Sequence, residues 1–149
     1  MEVGVGLEDP DSLIGAAEEM GQYLIFLQEK EKKLLPVISS ARVAYNSMLD
    51  MIKTYEDSRA IDLNNNGFPM NRAEKMARLE TSVSGKDGEK PLRERLNEVL
   101  ENRLRLEDEY TDLKGFRNVV QECKMTIHQK VKMLYSEYKQ TPFQVERNH

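Results

Sequence analysis

The chain has 149 residues, the length of one domain, and a formal net charge of −4 at neutral pH. Charged residues make up 32% of it and hydrophobic residues 39%, with 7% aromatic residues and no tryptophan, which is less apolar material than a thick globular core requires. This composition is typical of long amphipathic helices. The acidic balance excludes a protein that binds polyanions over its whole surface, so any nucleic-acid site must be a local basic patch.

The first ten residues, Met1 to Pro10, are acidic and glycine-rich, and they predict a disordered tail. They lack the basic region and apolar run of a signal peptide, and no stretch of the chain reaches the ~20 apolar residues of a membrane span. Cys123 is the only cysteine, and its place beside an apolar row of a helix predicts a buried, unreactive thiol. These features predict a cytoplasmic protein with no membrane partner.

The first predicted helix covers residues 11–60, with Asp11 as its N-cap. Residues that recur every three or four positions lie on one face of such a helix. The row keeps its phase across Pro36, where the missing N–H and the crowded carbonyl of Lys32 predict a kink or a short break. The row consists of Leu13, Ala17, Met20, Leu24, Leu27, Glu31, Leu34, Ile38, Ala41, Tyr45, Met48, Ile52, Tyr55 and Arg59.

A polar stretch over residues 61–70 interrupts the row, because Asp62-Leu63-Asn64-Asn65-Asn66-Gly67 has the composition of a turn. Its alternating oxygen-bearing side chains also match the first half of a calcium-binding loop. The twelfth position of such a loop is a bidentate glutamate, whereas here it is Ala73. We therefore favour a plain turn and keep calcium binding as a weaker alternative.

A short helix is predicted over residues 71–81, because Asn71 followed by Glu74 resembles a capping box. Residues 84–90 contain two glycines and predict a second polar turn. Pro91 then suits the first turn of the next helix, because its N–H is not needed there.

The last predicted helix covers residues 91–139 and is followed by a frayed tail over residues 140–149. Its row is apolar except at Arg103, Arg117 and Lys124, and polar residues at such positions commonly set register and subunit number. The row consists of Leu92, Leu96, Val99, Arg103, Leu106, Tyr110, Leu113, Arg117, Val120, Lys124, Ile127, Val131, Leu134 and Tyr138.

These elements predict an all-α fold, with residues 1–149 as a single helical domain. We expect a long antiparallel helical hairpin with a short helix at its tip. Further apolar residues flank the two rows, and a single hairpin would leave them exposed because it buries only one contact between its helices. We therefore predict that copies assemble into an oligomeric helical bundle or ring. The alternative is a monomeric three- or four-helix bundle folded back at Pro36. The flanking residues are Leu35, Leu49, Leu100, Leu104, Phe116 and Val119.

The sequence shows no motif for catalysis. His128 has no carboxylate or cysteine at metal-ligand spacing, and no serine or cysteine lies in a recognisable nucleophile motif. We therefore predict a protein that is not an enzyme, with no catalytic residues, no metal site and no cofactor.

Basic residues concentrate around the predicted tip. Three of them, Arg72, Lys75 and Arg78, recur every three residues and share one side of the short helix, while Tyr55 and Phe68 lie nearby in the sequence. Cations that neutralise phosphates beside rings that stack on bases bind single strands without reading sequence. The alternative is an ordinary solvated surface, because four glutamates are interleaved with the cations. The basic residues are Arg59, Arg72, Lys75, Arg78, Lys86, Lys90, Arg93 and Arg95.

One stretch resembles a known family. Residues 68–75 read Phe68-Pro69-Met70-Asn71-Arg72-Ala73-Glu74-Lys75, similar to the F-x-M-D-R-x-E-K segment of the UvsY-type recombination mediators of T-even-type phages. Residues 83–87 loosely resemble a V-L-S-A-D run in that family, and the order of helices and turns is similar over most of the chain. The resemblance implies a small helical protein that assembles into rings and binds single-stranded DNA. It also implies that the protein helps to load a RecA-like recombinase onto strands covered by single-strand-binding protein, contacting both proteins and hydrolysing nothing.

In that family a basic pair on the helix before the loop contacts DNA. By spacing from the motif, Lys53 matches one member of the pair and Tyr55 takes the place of the other. Arg72 and Lys75 match motif positions directly. Together with the basic tip, the resemblance predicts a DNA-binding set in the cytoplasm of a phage-infected bacterial host. The set is Lys53, Tyr55, Arg59, Arg72, Lys75 and Arg78.

A second hypothesis belongs to another class. In it the chain is an oligomeric coiled-coil scaffold or adaptor, or a phage-encoded inhibitor, that binds another protein and no nucleic acid. The apolar rows then bind the partner, and the basic residues only keep the surface soluble.

Overall fold

The computed structural model describes residues 9–83 and 88–147, with side chains described as far as residue 136. These residues form three helices: α1 (Pro10–Asn65), α2 (Met70–Val83) and α3 (Leu92–Arg147). No strand occurs in the described ranges, so the all-α prediction is confirmed. None of the described helices combines the length and the apolar content of a membrane span. The predicted N-terminal tail, up to residue 8, and residues 84–87 of the second predicted turn lie outside the described residues.

Helix α1 begins before its predicted cap. The amide of Leu13 donates to the carbonyl of Asp9 at 2.9 Å, which makes Asp9 the N-cap and Pro10 the first helical residue. The Asp9 carboxylate also accepts a hydrogen bond from the Ser12 hydroxyl at 3.3 Å. The prediction of Asp11 as the cap is wrong, because Pro10 has a backbone already set for the first turn and needs no N–H partner there.

The helix is not interrupted at Pro36. Helix α1 is continuous from Pro10 to Asn65, so a break at this proline is wrong. Pro36 lies on the exposed side of the helix, where water can satisfy the carbonyl that loses its usual N–H donor. The helix therefore crosses the proline at the cost of one hydrogen bond.

The end of α1 is a glycine cap. Gly67 has a φ of +104°, the amide of Phe68 donates to Leu63 O, and the amide of Gly67 donates to Asn64 O, both at 3.1 Å. This pair of bonds defines a Schellman motif, and Phe68 completes it by packing on the cluster that contains Leu63. The helix therefore extends to Asn65, beyond the predicted end at residue 60, because Leu63 is still buried against the rest of the protein.

This cap also bears on the calcium alternative. Asp62 and Asn64 are helical rather than parts of an open loop, and the Asn64 side-chain amide donates to the Phe68 carbonyl at 2.9 Å. Side chains at alternate positions of a helix point in divergent directions, so they cannot surround one cation. Among the described residues, no group of three or more His, Cys, Asp or Glu side chains is arranged to hold a metal.

Helix α2 starts at Met70, and its first hydrogen bond runs from the amide of Ala73 to the carbonyl of Pro69 at 2.9 Å. Pro69 is therefore the cap residue, and Asn71 lies inside the first turn. The predicted capping box at Asn71 is wrong, because the first helical hydrogen bond already runs to Pro69, two residues before Asn71. At the far end, α3 continues to Arg147, past the predicted end near residue 139.

The chain divides into two compact units, one made of residues 34–109 and the other of residues 1–33 with 110–149. In the 34–109 unit, α2 packs closely on α1. Ala73 and Ala77 of α2 are fully buried against Ala60 and Leu63 of α1, and small side chains at these positions let the two backbones approach. Met76 and Phe68 pack around this cluster.

Helices α2 and α3 follow one another along α1 in the same unit. Thr81, in the last turn of α2, donates a hydrogen bond to the carboxylate of Glu56, and Arg93, at the start of α3, binds the same carboxylate. Farther along α3, Glu107 pairs with Arg42 at 2.9 Å. Helix α3 is therefore antiparallel to α1. It packs on the part of α1 that precedes Glu56, whereas α2 packs on the part that follows Glu56.

The unit made of residues 1–33 and 110–149 is also built from a buried face of α1 and the row of α3. Its side chains are described as far as residue 136. Leu13, Ala17 and Leu27 are buried, and so is the charged residue Glu31. Arg117 Nε lies 3.0 Å from Glu31 Oε2, an ion pair whose N–H is not aimed at the oxygen for a hydrogen bond. Two polar members of the predicted rows therefore meet each other.

The predicted row of α3 is its least exposed side. From Leu92 to Leu134 every row position is buried or half-buried, while the flanking Phe116 and Val119 are about half exposed. Cys123 is exposed as well, so the prediction of a buried thiol is wrong. Cys123 lies on the same side of α3 as Phe116 and Val119, a side that the described residues cover only in part. Whether copies assemble around it stays a prediction.

Candidate nucleic-acid interface

The predicted DNA-binding residues all lie in the 34–109 unit, on α1 and α2. The buried side of α2 consists of Ala73, Ala77 and Thr81. Because this side packs on α1, the opposite side of α2 faces solvent. It carries Arg72, Lys75 and Arg78, which are all exposed and make no ion pair within the described residues.

Arg59 has a different role. Its Nε donates to Glu80 Oε2 at 3.0 Å and to Oε1 at 3.2 Å, which joins α1 to α2. The hydrogen bond to Glu80 raises the pKa of Arg59 above its usual value. Since its charge is already matched by a carboxylate, Arg59 is a poor candidate for a phosphate contact. The interleaved glutamates in the sequence were the signal for such a pairing.

Tyr55 is 47% exposed, although it belongs to the predicted apolar row. Along the last turns of α1 the buried side passes instead through Ile52, Ala60 and Leu63. The row shifts because α2 replaces α3 as the neighbour of α1 beyond Glu56. The phenol ring of Tyr55 is therefore left on a flank, where it is accessible to a ligand.

The Arg59–Glu80 ion pair marks the flank on which Tyr55 lies. Tyr55 precedes Arg59 by one turn of α1, and Val83 follows Glu80 by about one turn of the antiparallel α2, so the two side chains lie at the same level on this flank. Val83 is 66% exposed and Leu79, one turn earlier, is 60% exposed. Tyr55, Leu79 and Val83 form what we call the tip flank, an accessible apolar surface beside the cations of α2.

Lys53 does not join this surface. It lies two residues from Tyr55, so the two side chains project ~200° apart around the helix axis. Lys53 is exposed, but on the side of α1 opposite the tip flank. The structure therefore separates the two residues that the family resemblance placed together as a DNA-contacting pair.

Phe68 is half-buried rather than free to stack. One side of the ring packs on the cluster of Ala60, Leu63, Ala73 and Ala77, and the Arg72 guanidinium lies over the ring, 5.8 Å from its centroid. This cation–π contact holds Arg72 near the turn without neutralising its charge.

Other cations near the tip are already paired. Arg93 binds Glu56, Lys90 binds Glu98, and Arg95 Nη1 lies 4.0 Å from Glu89 Oε2. Sequence reasoning missed the carboxylate of Glu56, which is nearly buried. Burial by itself would raise the pKa of Glu56, but hydrogen bonds from Arg93 and Thr81 outweigh it and hold the pKa below its usual value.

Comparison of the chain with protein-family models, with curated proteins and with solved structures finds no match. Among the described residues of the tip, the geometry leaves the basic face of α2 available to an anion, with the tip flank beside it.

Proposed function

We propose that the protein is a non-enzymatic, self-associating recombination mediator that binds single-stranded DNA through the outer face of α2. The observation that carries this proposal is the contrast among the cations of the tip. Arg72, Lys75 and Arg78 are exposed and form no ion pair within 4.0 Å among the described residues, although the charge of Arg78 helps to lower the pKa of Glu56, whereas Arg59 and Arg93 are held by carboxylates. A row of unpaired cations on a rigid helix supports contacts to a phosphate backbone.

The exposed side chains of the tip flank favour the binding of single-stranded DNA over the binding of a duplex. In a duplex the faces of the bases are stacked and unavailable, whereas an unpaired strand can lay bases on accessible rings and apolar side chains. Tyr55 offers such a ring, and Leu79 and Val83 extend the apolar surface. A strand whose phosphates follow α2 can turn its bases toward this flank.

The mediator role rests on the resemblance of residues 68–75 to the UvsY-type segment, in which Arg72 and Lys75 match motif positions. In this proposal the protein works without a cofactor in the cytoplasm of a phage-infected bacterial host. It helps to load a RecA-like recombinase onto strands covered by single-strand-binding protein, and it contacts both of those proteins.

The first test is fluorescence anisotropy of a labelled oligo-dT at several salt concentrations. Wild-type protein is expected to bind at low salt and to release the strand as salt rises, because phosphate neutralisation displaces counterions. Replacing Arg72, Lys75 and Arg78 with alanine is expected to abolish binding. A matched variant with Lys32, Lys130 and Lys132 replaced by alanine removes the same charge elsewhere and is expected to bind nearly normally. Equal losses in the two variants, or no binding by the wild type, would remove DNA from the proposal.

A second candidate is the helical scaffold or adaptor that binds protein only. It is favoured by half-exposed aromatic residues in the other unit, Tyr23, Phe26 and Phe116, which can serve a protein partner as well as a second copy. In this case the alanine substitutions on α2 leave partner binding unchanged, and oligo-dT anisotropy stays at its free value at every salt concentration.

A further inference from the structure

An aromatic cluster lies on the surface of the unit made of residues 1–33 and 110–149. The rings of Tyr23 and Phe26 on α1 stack with their centroids 6.0 Å apart, and Tyr23 meets Phe116 of α3 edge to face at 5.8 Å. Val119 lies one turn beyond Phe116 on the same side of α3. We call Tyr23, Phe26, Phe116 and Val119 the aromatic flank.

The aromatic flank is unusually accessible for its chemistry. Tyr23 is 41% exposed, Phe26 and Phe116 are each 49% exposed, and Val119 is 56% exposed. Aromatic side chains bury a large apolar area each when a partner covers them, and contiguous exposed apolar surface commonly marks a docking site. The flank is separate from the row of α3, which is already buried or half-buried against α1.

Charges of opposite sign sit at one end of this flank. On α1, Lys30 follows Phe26 by one turn with its Nζ 4.8 Å from the ring centroid, and Lys33 follows Lys30 by another turn. On α3, Asp112 precedes Phe116 by one turn. The Glu31–Arg117 pair aligns the two helices, so these lysines and this aspartate lie toward the same end. Lys33 and Asp112 are exposed, and neither makes an ion pair within the described residues.

We propose that the aromatic flank docks a second copy of this chain across a twofold axis parallel to the helices. Such an axis places α1 of one copy over α3 of the other at the same level. The rings then bury each other, and Lys33 of each copy lies over Asp112 of its partner. This proposal rests on the self-association in the proposed function and names the surface that performs it, but it does not depend on DNA binding.

The charge pattern favours a second copy over an unrelated partner. An acidic partner helix would meet Asp112 at the same end as the lysines, and a basic one would meet Lys30 and Lys33. A copy related by the twofold axis presents the opposite sign at both places at once. Like charges at an interface disfavour wrong partners, so the pattern selects a surface of its own kind.

Sedimentation velocity of Lys33→Glu and Asp112→Lys, alone and mixed, tests this arrangement. Each variant alone places like charges together twice in its dimer, so its self-association is expected to weaken by at least tenfold. In an equimolar mixture, the glutamate introduced into one chain faces the lysine introduced into the other, and the remaining native Lys33 faces the remaining native Asp112. The mixture is therefore expected to associate as well as the wild type. Monomeric wild-type protein, or a mixture no better than its components, would overturn the proposal.

A second measurement does not depend on these variants. Cys123 is exposed on the same side of α3 as Phe116, so docking covers it. The rate at which its thiol reacts with a disulfide reagent is expected to fall as protein concentration rises. Phe116→Lys is expected to abolish this dependence, while Val43→Lys, which replaces an exposed valine of the other unit, is expected to preserve it. A rate that is independent of concentration in the wild type contradicts the proposal. Neither of these two experiments contains DNA. If they contradict docking of a second copy, the oligo-dT anisotropy measurement still tests DNA binding independently.

Discussion

Glu56 and Arg93 form a bidentate ion pair at the level of α1 where α2 ends and α3 begins. The Nε and Nη2 atoms of Arg93 donate to the two carboxylate oxygens at 2.9 and 2.6 Å, and the Thr81 hydroxyl donates to the same carboxylate. One nearly buried side chain of α1 therefore holds the last turn of α2 and the first turn of α3. Paired hydrogen bonds of this kind are stronger than single neutral ones.

Glu56→Gln is expected to destabilise the fold by about 2 kcal/mol at neutral pH, because it removes a charged acceptor from two donors. The pKa of Glu56 is lower in the folded protein than its usual value of 4.5. Its stabilisation is therefore complete above pH 4.5 and is lost as the pH falls through the folded pKa. Urea unfolding at several pH values should show the difference between wild type and variant shrinking below pH 4.5. Glu29→Gln, which removes the same charge at an exposed position, is the control.

The Glu31–Arg117 pair predicts a contrast between single and double substitution. Glu31→Leu leaves the half-buried guanidinium of Arg117 without its carboxylate and is expected to cost about 3 kcal/mol. Adding Arg117→Leu fills the site with apolar side chains and is expected to recover most of that loss. Urea unfolding of the three proteins measures the free energies. A double variant no more stable than Glu31→Leu would contradict this expectation.

Arg59 and Arg78 are predicted to respond differently to alanine substitution, although both belong to the set expected from the sequence. Arg59 joins α1 to α2 through Glu80, so Arg59→Ala should lower thermal stability and leave DNA affinity nearly unchanged. Arg78 is exposed and forms no ion pair among the described residues, so Arg78→Ala should change stability less than Arg59→Ala and should reduce the salt slope of oligo-dT binding by about 0.7. An unchanged slope for Arg78→Ala, with a reduced slope for Arg59→Ala, would reverse these assignments.

Two glycines predict opposite effects of alanine. Gly67 has a φ of +104°, and a Cβ added there would meet no atom within 4 Å, so Gly67→Ala is expected to cost about 1 to 2 kcal/mol through backbone strain alone. Gly15 lies inside α1, also with open space around it, so Gly15→Ala is expected to stabilise by about 0.5 to 1 kcal/mol. Thermal unfolding compares the two. Equal effects would argue against the glycine cap after Asn65.

The sequence predicted regular parts of the fold well, because periodicity reports a packed face directly. The row of α3 is buried or half-buried from Leu92 to Leu134. Prediction failed where two neighbours compete for one helix. Tyr55 belongs to the row by spacing, but α2 packs on a different side of α1 there and leaves the ring exposed. A single sequence does not show which neighbour a residue meets.

The candidate site was predictable only in part, for an electrostatic reason. Arg72, Lys75 and Arg78 recur on one side of a short helix, and that side faces solvent. Whether a given arginine is free depends on which glutamate lies opposite, as Arg59 and Glu80 show across the α1–α2 contact. The caps were readable in principle, since the Asp9-Pro10 dipeptide is a recognised helix start.

The serial arrangement of α2 and α3 on α1 gives one carboxylate two neighbours to hold. Thr81 of α2 and Arg93 of α3 each bind Glu56 of α1 directly. A change at this one position of α1 therefore loosens the end of α2 and the beginning of α3 together.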